Sequence, residues 1–323
     1  MMDWAAIALA KTASWVVNEA AATQPGEQVL IVADHRSDPA VVQALTAAVA
    51  AVGAEPTVAV MPARPVAGAP ATAIVQHAVD GATLVICPTT TVIHFSPRIR
   101  QALDEKRIRL ISISIDRETM THGAAAADPD EVAAITTRLY EVLAPARELR
   151  VWSANGTDFT CSVADRLPNL SIGRAREPGR IGTFPFGEVP HAPIEGSMNG
   201  VVVYDGPVHS IGHLTAPIRL TVRDGRVTAI EGGAEADQLR ALIGGVENAD
   251  VVAEVSIGTN PKANLAGDIQ EAKKRWGTVH VGLGNSTGLR GRTFSPLHID
   301  GLIVRPTVWA DGHLIVREGQ LLV

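Results

Sequence analysis

Short apolar runs alternate with amphipathic stretches over the first 145 residues of the chain. QVLIVAD (28–34), PTVAVM (56–61), TLVICP (83–88) and RLISISI (109–115) are compact and rich in β-branched residues. That is the pattern of strands buried on both faces. Between them, residues 38–53, 71–81 and 128–144 carry apolar positions at helical spacing. Asp38 is placed to cap the first of these helices and Gly53 to stop it. Strands and helices in alternation at this spacing predict a parallel sheet covered on both faces.

The pattern changes near residue 146. RELRVWSANGTDFTCSV has two alternating segments around Asn155-Gly156, a strong hairpin signal. Further short strands follow at 200–206, 218–225 and 226–233, and residues 311–323 read as a closing hairpin. Helical patterns at about 235–244 and 264–274 interrupt them. The expected fold is an α/β N-terminal domain with a parallel sheet over residues 1–147, in a Rossmann-like layout. An α+β, strand-rich C-terminal domain over 148–323 is expected to bind metal.

The layout suggests a nucleotide site, but the chemistry is missing. HRSDP follows the first strand where a dinucleotide fold would carry G-x-G-x-x-G, and no G-x-x-x-x-G-K-[ST] occurs. Net charge is −6 with Lys and Arg spread thinly, so no nucleic-acid surface is expected. Cys87 and Cys161 are too few for a disulfide framework and sit in apolar surroundings, as buried thiols do. Residues 1–21 lack the basic start and cleavage pattern of a signal peptide, and Asp3, Lys11 and Glu19 interrupt any membrane span. An amphipathic surface helix and a soluble, cytoplasmic protein are the expectation.

Metal-capable side chains gather in the second half. Glu188 lies in the Gly/Pro-rich FPFGEVPHAP, where a lone acid is ordinarily solvated. Glu254 stands between apolar residues of a strand in VVAEVSIGTNP, either on an exposed face or in a site, because an unpaired buried charge is costly. His280, in GTVHVGLGN, is equally placed in a strand, where a histidine is more often a hydrogen-bonded core residue than a ligand. His298 and Asp300, in SPLHIDGLIV, are two residues apart and point to one face of an extended chain. Two imidazoles and three carboxylates suit zinc, manganese, cobalt or ferrous iron.

GEVPHAPIEGSMNGVVVYDG, AEVSIGTNP, GTVHVGLGN and LHIDGLI, in that order, resemble the aminopeptidase T family (peptidase family M29). The resemblance covers most of 150–323. It implies that Glu188, Glu254, His280, His298 and Asp300 hold one or two divalent ions (zinc, cobalt or manganese). It also implies a metal-activated water attacking an amide or peptide bond, and a homodimer acting on a small molecule or short peptide. Glu188, His94 or His191 would move protons or touch substrate. The tyrosine that the family places shortly after its first metal histidine has no counterpart in GLGNSTGLRG, where Ser286 and Thr287 stand. This departure weighs against the family's usual peptide hydrolysis.

A second branch of the same fold, the 2,5-dihydroxypyridine 5,6-dioxygenases, resembles the chain in length and around VIHFSPRIRQ. It implies one ferrous ion on His280, His298 and Asp300, with His94 facing the substrate. A solvated histidine after a strand is the plainer reading of His94. A non-catalytic, ligand-binding member of the family is the third reading.

Overall fold

The structure, a computed structural model, describes residues 4–66 and 68–323. Along the chain run α1 (Trp4–Trp15), β1 (Gln28–Asp34), α2 (Pro39–Ala51), β2 (Glu55–Met61), α3 (Ala73–Ala78), β3 (Leu84–Cys87), α4 (Pro97–Asp104), β4 (Arg109–Ile113), α5 (Arg117–Thr121) and α6 (Pro129–Leu143). Then come β5 (Glu148–Trp152), β6 (Asp158–Ser162), β7 (Ile181–Phe184), β8 (Glu188–His191), β9 (Asn199–Tyr204), β10 (Ile218–Arg223), β11 (Arg226–Glu231) and α7 (Ala234–Ile243). The chain closes with β12 (Val252–Gly258), α8 (Ile269–Ala272), β13 (Val279–Gly284), β14 (His298–Ile303), β15 (Thr307–Ala310), β16 (His313–Arg317) and β17 (Gln320–Leu321).

The chain divides into two compact units, 1–126 with 172–186 and 127–171 with 187–323. This differs from the division expected near 147. Helix α6 belongs with the second unit, where Val132 packs against Gly187, and β7 returns to the first. Strand β7 is short and follows a loop, so no long apolar run announces it.

In the first unit, five parallel strands run in the order β2-β1-β3-β4-β7. Their apolar residues and those of α3 and α4 form one core, including Leu30, Val32, Val75, Val85, Ile99 and Leu110. Asp38 caps α2 as expected, its carboxylate accepting from the Ala40 N–H. The N-terminal helix forms over 4–15 and continues as a π turn over 16–20; residues 1–3 of that stretch lie outside the described residues. Among the described residues, no helix is long and apolar enough to cross a membrane.

A charged brace ties the first unit together. Arg109 donates to both Glu27 oxygens (2.5 and 2.6 Å) and to the Ala21 carbonyl (2.7 Å). Burial by itself would raise the Glu27 pKa, but bonds from Arg109, the Gln24 N–H and Thr83 outweigh it and lower it to about 2. A depressed carboxyl contributes stability above its unfolded pKa and loses it as pH falls from about 4.5 towards 2. Discounted for partial exposure, the contribution is about 2 kcal/mol at neutral pH. Glu27→Gln should therefore lower stability in urea unfolding at neutral pH and differ little from wild type near about pH 2. An equal deficit at both pH values would show that the charge plays no part.

The second unit holds an eight-stranded sheet, β11-β10-β9-β6-β5-β15-β16-β17, and a four-stranded antiparallel sheet, β14-β13-β12-β8. The hairpin at Asn155-Gly156 forms as expected between β5 and β6. The helix expected over 264–274 is only α8. Asp268 caps it, accepting from the Glu271 N–H, and the preceding residues are held as a loop by Asn264 and Glu271 side chains. Tyr204 links the two sheets, its hydroxyl donating to the Val281 carbonyl at 2.9 Å.

Candidate metal centre

The four-stranded sheet collects all five candidate ligands. Glu254, Gly282 and Asp300 are directly opposite one another on β12, β13 and β14. His280 faces Ser256, His298 faces Gly284, and Glu188 faces Gly258. Because side chains alternate along a strand, this register puts Glu188, Glu254, His280, His298 and Asp300 on the same face. All five are buried.

The donor atoms converge. His280 Nε2 lies 3.0 Å from Glu254 Oε1 and 3.7 Å from Glu188 Oε2. His298 Nε2 lies 3.0 Å from Glu254 Oε2 and 2.9 Å from Asp300 Oδ1. Ligands bonded to one ion at about 2.0–2.2 Å stand roughly 3–3.5 Å from their neighbours, so this spacing suits a shared cation. Glu254, His280 and Asp300 each offer an atom within 4.8 Å of the others.

Three observations test the fit of a metal. First, His298 Nδ1 is 2.8 Å from the Asn285 carbonyl. Donation there leaves the Nε2 lone pair facing two carboxylate oxygens, which requires a cation or a proton between them. Second, among the described residues, Glu188 Oε2 is buried without a hydrogen-bond partner. Third, a Cβ on Gly282 would lie 2.7 Å from Asp300 Oδ1 and 3.0 Å from both Glu254 Cβ and His298 Cε1. Glycine at 282 keeps the space between three of the ligands clear. The residues fit a divalent ion.

The electrostatics agree. Burial lowers the His298 pKa, but Asp300 and Glu254 outweigh it and push it up to about 10. Burial and Asp300 raise Glu254, while hydrogen bonds to His280 and His298 hold it below the usual carboxylate range. Burial raises Asp300 too, and Lys273, His298 and His209 pull it well below that range. Glu254 and Asp300 are thus held charged by cationic or protonatable neighbours.

Three contributing residues went unnoticed in the sequence. Lys273 Nζ lies 2.7 Å from Asp300 Oδ2, and Lys274 Nζ bonds Glu188 Oε1. Both lysines are buried. They follow α8, whose Ile269 and Ala272 pack on Leu302. Gly258 lets the segment lie close, since a Cβ there would meet the Arg275 carbonyl at 2.2 Å and the Lys273 carbonyl at 2.8 Å. In EAKKRW the pair looks like solvated charge, and only the tight fold against β12 reveals it. His209, in PVHS, accepts from the Asp300 N–H at 3.1 Å. Burial is the main cause that lowers its pKa to about 3, so the ring is neutral. Its Nε2 lies 2.7 Å from Gln270 Nε2.

The remaining sequence candidates are His191 and His94. His191 registers with Val255, on the opposite face of the sheet from Glu188. Its Nε2 is 2.5 Å from the Arg166 carbonyl, and burial chiefly lowers its pKa to about 4. The structure therefore leaves His191 out of the cluster, because an odd spacing along β8 turns it away. His94 belongs to the first unit and lies against Phe95, ring centroids 4.4 Å apart and the planes tilted by 42°. Ser286 and Thr287 stand in the loop after β13, where Thr287 bonds Asn285.

The family model for NicX, 2,5-dihydroxypyridine 5,6-dioxygenase, matches residues 16–323. The chain belongs to that family. A 2,5-dihydroxypyridine 5,6-dioxygenase of Pseudomonas putida is 26% identical over 266 residues, spanning 76% of this chain and 73% of the relative. The solved structure of the 2,5-dihydroxypyridine dioxygenase from Pseudomonas putida superposes with a TM-score of 0.83 at 22% identity, covering 98% of this chain and 97% of that one. AmpT from Thermus thermophilus superposes with a TM-score of 0.66 at 16% identity, covering 98% and 99%. At those identities the two structures speak for a common fold, an α/β part with a strand-rich part, as the sequence resemblance implied.

Proposed function

We propose that the protein is a mononuclear ferrous dioxygenase that opens a hydroxylated pyridine ring. What carries this reading is the family match over residues 16–323 in a chain whose buried cluster of two imidazoles and three carboxylates contains the two histidines and aspartate that non-haem iron oxygenases use. His280, His298 and Asp300 would hold the ion, with Glu254 and Glu188 beside it. Bound there, the ion would supply activation of dioxygen and a binding point for a substrate oxygen.

The chain's own groups favour an anionic substrate. Three carboxylates face two lysine ammonium groups and two imidazoles. With neutral imidazoles the protein groups sum to one negative charge, and a divalent ion makes the whole positive by one. A deprotonated ring hydroxyl balances that charge; a neutral amide does not. Asn285 orients His298 through its carbonyl, and His209 orients Asp300 through its backbone N–H. Glu188 Oε2, buried and without a hydrogen-bond partner among the described residues, would take a substrate proton. The amide-hydrolase reading expected first gives all five residues to two ions, and the lysine pairing of Glu188 and Asp300 supports one.

Anaerobic loading with ferrous iron, followed by oxygen-electrode assays on 2,5-dihydroxypyridine, tests the proposal. One iron per chain is expected, with one dioxygen consumed for each ring lost from the ultraviolet spectrum. Iron-loaded protein that consumes no oxygen with any dihydroxypyridine, yet hydrolyses amides with zinc or cobalt, would overturn it.

A further inference from the structure

We propose that Lys273 and Lys274 are the residues that restrict this centre to a single divalent ion, their ammonium groups standing where a second cation would be held. The inference rests on the metal-site reading above. A carboxylate that bridges two ions commonly presents one oxygen to each. Asp300 instead turns Oδ1 towards His298 Nε2, at 2.9 Å, and Oδ2 towards Lys273 Nζ, at 2.7 Å. Glu188 divides its oxygens in the same way, Oε2 towards His280 and Oε1 on Lys274. Each outer carboxylate thus has one oxygen facing an imidazole of the ion site and one already committed to an ammonium group.

Charge points the same way. With both lysines present, a second divalent ion would leave the buried cluster positive by three, an arrangement that desolvation makes costly. With both lysines replaced by neutral residues, two ions leave it positive by one, the balance the wild type reaches with one ion. The lysines are fixed by the fold. The side chain of Lys274 is 2% exposed and that of Lys273 is 11% exposed. The segment that carries them is anchored by Ile269 and Ala272 on Leu302 and by the Asn260 N–H on the Lys274 carbonyl, at 2.8 Å.

The test is the number of ions per chain in wild type and in Lys273→Met/Lys274→Met. Each protein is loaded with excess manganese(II), freed of unbound metal and measured by elemental analysis and electron paramagnetic resonance. Wild type is expected to hold one manganese with an isolated-ion spectrum. The double variant is expected to hold two, with the spectrum of a spin-coupled pair. Lysines that serve stability alone predict a folded variant still holding one ion, and that result, or two ions in wild type, would overturn the inference. If the variant does not fold unaided, its thermal midpoint is followed against added manganese. Saturable restoration at two ions per chain supports the proposal, and no restoration overturns it. Wild type that holds one ion but consumes no oxygen with dihydroxypyridines sinks the proposed function and leaves this inference standing.

Discussion

Gly282→Ala is expected to leave the fold in place and strip the protein of its metal. The backbone at 282 has no left-handed φ, so an L-residue is tolerated there. The new methyl group, however, would stand 2.7 Å from Asp300 Oδ1 and 3.0 Å from His298 Cε1. Relief requires both ligands to shift, and neither has slack. His298 is held at the Asn285 carbonyl and Asp300 by Lys273. Overpacking of this kind costs about 1–3 kcal/mol of stability. Displaced ligands should lower metal affinity by at least about 10–100-fold, the range seen when the groups that orient ligands are lost. Circular dichroism with metal analysis separates the two effects. A variant with native spectra and a full complement of metal would show that the ion is held elsewhere.

Asp300→Asn should have the second large effect, by removing charge with little change of shape. Two consequences follow. The ion loses a carboxylate ligand, so affinity should fall at least about 100-fold and activity with it. Lys273 is left facing a neutral amide, and breaking a buried pair costs about 3–5 kcal/mol. Chemical unfolding with metal removed should therefore show destabilisation that excess metal does not restore. An unchanged midpoint would mean that Lys273 finds another partner; retained metal and activity would remove Asp300 from the site.

β1, β3 and β4 were legible because each is buried on both faces, and its apolar run needs no neighbour to explain it; β2 forms where its β-branched run stands, but at the sheet edge and largely exposed rather than buried as expected. β1, β3 and β4 fall within a residue or two of the runs that announced them. Strand β7 was not legible, since four residues of mixed character carry no period. The cluster of candidate ligands was legible through the His-x-Asp spacing and through strand residues whose polarity conflicts with their surroundings. His191 is near Glu188 in sequence but on the other face of the sheet. On β8 a spacing of three reverses the face.

From the sequence alone came the two kinds of sheet and the residue types able to bind a cation, because periodicity and side-chain chemistry are local properties. The tertiary structure decided which of those side chains share a face, through a register across four strands that no local pattern encodes. It also brought two lysines from the end of α8 onto Asp300 and Glu188. Whether a charge is solvated or buried against a carboxylate depends on contacts between distant segments, so the charge balance of the centre belongs to the fold.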